Sequence, residues 1–256
     1  MMKTVSIINQ KGGVGKTTTA LELGRGLGNK GFKVLFIDMD PQGNLSYTLN
    51  HEATEYNALD LLQGKTLEGV ELSTVVYSCC LISSSPYLSS CDKVLNETGR
   101  EYKLKEALEP VKDKFDYCII DTPPALGTVT INALTASESL IIPTQADFYS
   151  LLGIQQLKDT LLTVKKYCNP SLYCRGLLLT RYNTRSNFRK GVSSLLEQLA
   201  AELDTRVFTT HIREGVALPE AQALKTSVYE YAPRSGVAQD YKEFIKEFLT
   251  YEAEKS

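Results

Sequence analysis

The sequence predicts a doubly wound, mostly parallel α/β sheet with helices on both faces, in a single domain spanning residues 1–256. Three observations predict it. An apolar, β-branched run at residues 4–9 passes through a glycine-rich turn straight into a helical pattern at Ala20, Leu21, Leu23 and Leu27. Two further apolar runs, residues 33–38 and 115–121, each end in an aspartate, as parallel strands covered on both faces and opening onto one sheet edge should read. No Pro/Gly/Ser-rich linker or charge block divides the 256 residues.

Composition narrows the function classes. With 43% hydrophobic and 23% charged residues the chain can fill a core and lacks the signature of disorder. No apolar run approaches the ~18 residues of a membrane span and no signal-peptide pattern opens the chain, so the expected compartment is the cytoplasm. A net charge of −2 gives no global attraction to nucleic acid or anionic membrane, so such binding must come from a local patch. The six cysteines, at 79, 80, 91, 118, 168 and 174, form no CxxC and have only two histidines beside them, which points to reduced thiols rather than a metal site.

The first element explains the turn. Residues 10–19 read Gln-Lys-Gly-Gly-Val-Gly-Lys-Thr-Thr-Thr. Between a strand and a helix N-terminus, Gly12, Gly13, Val14 and Gly15 let backbone N–H groups face an anion, with the positive end of the helix beneath them. Lys16 would lie along the β- and γ-phosphates, the Thr17 hydroxyl would bind Mg²⁺, and Thr18 continues the phosphate cradle, the division of labour of a Walker A loop. Where a standard loop begins with glycine this one has Gln10, followed by a second lysine, Lys11. That lysine resembles the deviant Walker A motif of the ParA/MinD/nitrogenase-iron-protein ATPases. The resemblance implies ATP and Mg²⁺ as cofactors, an ATP-dependent homodimer, and a catalytic Lys11 that reaches the partner's nucleotide.

The second strand delivers Asp38-Met39-Asp40-Pro41-Gln42-Gly43-Asn44 to the same sheet edge. The stretch resembles the switch I motif of ParA-type ATPases, which implies that Asp40 positions the attacking water with Asp38 supporting it beside the metal. The third strand ends at Asp121, a Walker B pattern whose carboxylate holds Mg²⁺ through water. Asp121-Thr122-Pro123-Pro124 resembles the family's switch II entry: stiff at the prolines, then free to hinge at Ala125-Leu126-Gly127.

Between them, residues 50–110 carry weaker signals: a short helix at 58–62, a strand at 80–84 and a helix at 101–108. Ser83-Ser84-Ser85 has no nearby His–Asp partner in sequence and reads as a strand-to-loop exit, not a nucleophile. Beyond the third strand come a strand at 139–145, a helix at 152–167 and a strand at 176–180. By the resemblance, Asn183 just past that strand contacts adenine, and Arg213 belongs to the nucleotide site. Asp147 stands where the family often has Glu.

Arg181, Arg185, Arg189 and Lys190 crowd one loop and the next helix start. In the family such side chains, doubled by dimerisation, bind DNA without reading sequence, through counterion release. Aligned on the family's Leu-x-Glu-Ala segment, this chain carries Glu214 and Ala217 where arginines are usual. The last helix places Tyr241, Phe244, Ile245, Phe248 and Leu249 on one face and mixes Lys242, Glu243, Lys246 and Glu247 on the other. Membrane-surface helices favour Lys/Arg-rich polar faces, so this one should pack on the body. With no room for a helix-turn-helix before the first strand, the resemblance is to the small ParA class, which partitions plasmid or chromosomal DNA with a ParB-like activator. The alternative is a MinD-like ATPase positioned on a membrane or on protein cargo.

Overall fold

The computed structural model describes residues 1–49, 56–70, 72, 74–76, 78–182 and 189–255. In chain order the elements are β1 (Lys3–Ile7), α1 (Lys16–Asn29), β2 (Val34–Asp38), α2 (Asn44–Thr48), α3 (Ala58–Leu62), β3 (Thr74–Val76), β4 (Cys79–Ile82), α4 (Cys91–Val94), α5 (Lys103–Leu108) and β5 (Tyr117–Asp121). There follow α6 (Thr128–Ala136), β6 (Ser139–Thr144), α7 (Phe148–Tyr167), β7 (Tyr173–Leu179), α8 (Arg189–Glu202), α9 (Ala217–Ala223), α10 (Val228–Tyr231) and α11 (Gly236–Lys255). The strands form one sheet in the order β3-β4-β2-β5-β1-β6-β7. Six are parallel, and only the short edge strand β3, unanticipated from sequence, runs antiparallel on β4.

Alternation along the strands explains why both faces are covered. In β2, Val34 and Phe36 face a core shared with α1 and α11, whereas Leu35 and Ile37 face α3 and α5. A third cluster packs α7 and α8 on β6 and β7. Helix α1 lies unusually close to its neighbours because a Cβ at Gly24 would stand 2.2 Å from the Phe36 ring. The six cysteines are free thiols, five of them buried, with Cys118 inside β5. No helix among the described residues is long and apolar enough to cross a membrane.

Helix α11 packs on the body as its pattern predicts, with Tyr241, Phe244, Ile245 and Phe248 each at most 1% exposed. Each such side chain contributes about 1.5–3 kcal/mol by leaving water. Its last turns carry a buried charge cluster that sequence did not disclose. Arg175 of β7 is fully buried, its Nε donating to Ser139 Oγ at 2.6 Å and its Cζ 4.7 Å from the Phe248 ring centroid. Glu252 of α11 is its ion-pair partner and also pairs with Lys3 of β1. A buried ion pair needs such multiple satisfaction to offset desolvation.

Candidate functional site

Register assembles the site. Asp121 at the end of β5 lies opposite Ile7 of β1 on one side and Asp38 of β2 on the other, so two adjacent carboxylates stand on one side of the strand that feeds the glycine-rich loop. The loop rises from β1 through Asn9, whose Nδ2 donates to Pro143 O at 2.8 Å and whose Oδ1 accepts from Lys11 N at 2.9 Å. Gly13 and Gly15 take left-handed φ of 73° and 86°. Gly15 caps α1 with no side-chain hydrogen bond, which leaves first-turn N–H groups available to an anion. Val14 is fully buried, its carbonyl accepting from Thr180 Oγ1 at 2.8 Å, which ties the loop to the end of β7.

Two cavities meet over this loop, sharing Gly13, Gly15, Thr18 and Gln222. One, of about 610 Å³, holds Gly12, Lys16, Thr17 and Asp40; the other, of about 550 Å³, runs along Thr180, Arg181, Arg213 and Glu214. Together they offer a polar half, with Lys16 and the loop glycines in its wall, and a half with the apolar Val216, Leu218 and Pro219 in its wall. Gln222 Nε2 donates to Thr18 Oγ1 at 2.8 Å where the two join.

The charged groups of the first half are desolvated. Lys16 Nζ bridges back to the Lys11 carbonyl at 3.1 Å, and burial lowers its pKa against the opposing pull of Asp121 and Asp40. Burial, then the neighbouring Asp38, raises the Asp121 pKa well above the usual carboxylate range. The Thr17 hydroxyl draws it part of the way back without closing a hydrogen bond of normal geometry, and both Asp121 oxygens are buried without a partner. A buried orphan carboxylate beside a threonine hydroxyl fits a hard, oxygen-seeking cation. No three Asp, Glu, His or Cys side chains among the described residues converge into an all-protein cage. That suits Mg²⁺, which keeps its waters and leans on substrate phosphates.

Asp38, expected beside the metal, is employed differently. Its Oδ2 accepts from Ser46 N at 2.8 Å and Ser46 Oγ at 2.7 Å, and its Oδ1 from Asp40 N at 3.2 Å. Burial pushes it up to about 6 despite those bonds. Of the two expected carboxylate ligands, Asp121 is the one with open oxygens. Asp40 lines the first cavity and accepts from Gln42 N at 3.0 Å through Oδ1.

Lys11 points away from the cradle on its own loop. Its Nζ is held by Asp147 Oδ2 at 2.6 Å, Gln145 Oε1 at 3.2 Å and Ser150 Oγ at 3.3 Å, at the start of α7. Burial raises the Asp147 pKa, but the Lys11 and Ser150 hydrogen bonds outweigh it and the net shift is downward. The hinge expected after the prolines is anchored too: Thr128 N donates to Asp92 Oδ1 at 2.7 Å and Thr130 Oγ1 to Ala125 O at 2.6 Å.

Of the four basic residues expected to form a DNA-binding patch, only Arg181 has a described side chain. Arg181 lines the second cavity, at φ 49°, and pairs with Glu214 at 3.0 Å. The acid that departs from the family's arginine therefore neutralises its neighbour. Arg213 is also paired, its Nε and Nη2 each 2.7 Å from the Asp240 carboxylate, so it stands in the cavity wall as half of a fork. Asn183 and Arg185 lie outside the described residues, and Arg189 and Lys190 open α8 with side chains outside the description. Gln145, Ser150, Ser46 and Asp240 were not expected at the site. A polar residue at a strand end or a helix start was the only signal.

Comparison with known proteins agrees with this geometry. Residues 2–174 match the AAA domain family. The chain is 38% identical to the sporulation initiation inhibitor protein Soj of Bacillus subtilis, over 96% of this chain and 98% of that protein. It is 35% identical to the chromosome-partitioning ATPase Soj of Treponema pallidum over the whole of both. Cobyrinic acid a,c-diamide synthase of Mycobacterium smegmatis, solved with bound ADP and magnesium, superposes with a TM-score of 0.84 at 30% identity, covering 100% of this chain and 97% of that one.

Proposed function

Because the chain belongs to the AAA domain family, in its ParA/Soj branch of partitioning ATPases, and is an ATP hydrolase, we propose that it is an ATP-switched, dimerising carrier of plasmid or chromosomal DNA. In this reading ATP with Mg²⁺ occupies the two joined cavities, with phosphates over the loop and base toward Arg213; the family resemblance adds Asn183, outside the described residues, as an adenine contact. The observation that carries it is the meeting of Lys16, Thr17, Asp40 and the orphan Asp121 at the open end of α1.

Thr17 and Asp121 would hold Mg²⁺, which when bound neutralises charge on the phosphates. Lys16 and the first-turn N–H groups of α1 bind and orient the triphosphate. Asp40 orients a water for in-line attack and accepts its proton. Lys11 leaves Asp147 to reach the nucleotide of a second copy, so dimerisation follows ATP. A ParB-like activator would then set turnover, in the cytoplasm and on the nucleoid. DNA contact would fall to Arg185, Arg189 and Lys190, since Glu214 neutralises Arg181.

That pairing also favours a second reading, a protein-cargo positioning ATPase. A membrane-bound variant has less support, because the apolar face of α11 is buried. The deciding experiment measures DNA binding with ATP, with ADP and across a salt series, for wild type and Arg189→Ala/Lys190→Ala. Binding with ATP alone, with a salt slope of about −0.9 per phosphate contact that the double variant flattens, supports the DNA carrier. ATP-driven dimerisation with no DNA binding in any state overturns it in favour of protein cargo.

A further inference from the structure

The serine run at the exit of β4 is joined to the chemistry. Strand β4 lies directly beside β2, with Ile82 opposite Ile37, so Ser84 emerges against the loop that carries Asp38 and Asp40. The Ser84 hydroxyl donates to the backbone carbonyl of Asp40. Its N–H donates to Ser46 Oγ at 2.9 Å, and Ser46 in turn donates twice to Asp38.

Asp40 is therefore held on both sides, its N–H by Asp38 Oδ1 and its carbonyl by Ser84. The carbonyl side is the vulnerable one. The peptide after Asp40 leads into Pro41, which has no N–H, so that carbonyl is the only group through which the peptide plane can be fixed by hydrogen bonds. It accepts a second bond, from Gly43 N at 2.9 Å, but that donor belongs to the same turn and moves with it. Ser84 is the donor that ties the plane to the sheet.

We propose that Ser84 is a positioning residue for ATP hydrolysis: its hydroxyl fixes the Asp40 backbone and so aims the Asp40 carboxylate at the attacking water. The inference rests on Asp40 being the water-orienting group. Ser84 lines neither of the two cavities, so its effect on the rate would pass through Asp40.

The test compares Ser84→Ala and Ser84→Thr with wild type, in the Asp40 and Asp40→Ala backgrounds, by steady-state ATP hydrolysis, fluorescent-ADP affinity and thermal melting. Ser84→Ala should lower kcat about tenfold, the scale of one lost hydrogen bond, with ADP affinity within about twofold of wild type. Ser84→Thr, which keeps the hydroxyl, should restore kcat, and Ser84→Ala should cost nothing further once Asp40 is Ala. Wild-type kcat in Ser84→Ala beside an inactive Asp40→Ala overturns the role of Ser84 and leaves Asp40 in place. Equal losses in kcat and ADP affinity, with a lowered Tm, overturn it as a merely structural effect. Undiminished hydrolysis by Asp40→Ala overturns the reading of Asp40 itself.

Discussion

The Lys11 ammonium lies 2.6 Å from Asp147 Oδ2, inside a cradle completed by Gln145 and Ser150. The same carboxylate caps α7, with Oδ1 accepting from Ser150 N at 2.9 Å. Asp147 thus serves the fold and restrains the lysine at once.

Asp147→Ala should separate the two services. Losing the cap costs about 1 kcal/mol, or about 2–4 °C in Tm for a chain of this size. Freeing Lys11 should let ATP drive dimerisation at lower nucleotide concentration, read by analytical ultracentrifugation in an Asp40→Ala background. Lys11→Ala should abolish the dimer. An Asp147→Ala dimer forming at the wild-type ATP concentration would show that the cradle does not restrain Lys11.

Asp121→Asn should stabilise the nucleotide-free protein while disabling it. Removing an ionisable group whose buried oxygens have no partner relieves desolvation, so the apo Tm should rise by several degrees. The Mg²⁺-dependent gain in nucleotide affinity should disappear in a titration with and without the metal. A fall in apo Tm would mean the carboxylate is already compensated.

Glu22 makes stability depend on pH. It is buried on α1, its Oε1 accepting from Val228 N at 2.9 Å and its Oε2 unpartnered. Burial raises it to about 8; Val228 N–H and Arg25 oppose this, and Glu230 adds to it. Because the folded value exceeds the unfolded one, the protonated acid favours the fold fully below about pH 4.5, and this contribution is lost by the time pH passes about 8. Asp38, raised to about 6, acts in the same direction over a lower window. Melts of the apo protein should show Tm falling between pH 6 and 8.5, and Glu22→Gln should flatten that fall and exceed wild type at pH 8.5. Parallel curves would place the titration elsewhere.

Gly24→Ala tests the close approach of α1 to the sheet. A Cβ there would meet the Phe36 ring at 2.2 Å, and overpacking of this kind costs about 1–3 kcal/mol. Denaturant unfolding should show the loss, and Phe36→Leu in the same chain should recover part of it. Additive costs would show that the two positions do not compete for space.

What was legible in the sequence was local. The runs ending at Asp38 and Asp121 read directly, because a strand's burial and its terminal residue sit within seven positions, and so did the loop from Gly12 to Thr18. The Lys11 cradle did not, because its partners arrive from the start of α7, more than 130 residues away. Helix α6, Thr-Val-Thr-Ile-Asn-Ala-Leu-Thr-Ala, is rich in β-branched residues and gives little periodic signal. It is fixed by burial and by Asp92 at its N-terminus, a contact set by tertiary placement. Arg175 falls just before the strand expected at 176–180, lies inside β7, and is paired in the interior by Glu252, which arrives 77 positions later.

Helix α11 has the character of a splint. At 20 residues it is about 30 Å long. Asp240 and Tyr241 fasten one end to Arg213 and Thr19 at the nucleotide cleft, Glu247 takes Thr209 N and Thr210 N midway, and Glu252 fastens the other end to Arg175 and Lys3. A rod pinned at three points transmits strain but does not swing. The wall of the cleft built on α11 is thus its datum, and any travel between nucleotide states would fall to the opposite bank and would have to release the contacts by which Ser84 holds Asp40 and Asp92 holds Thr128.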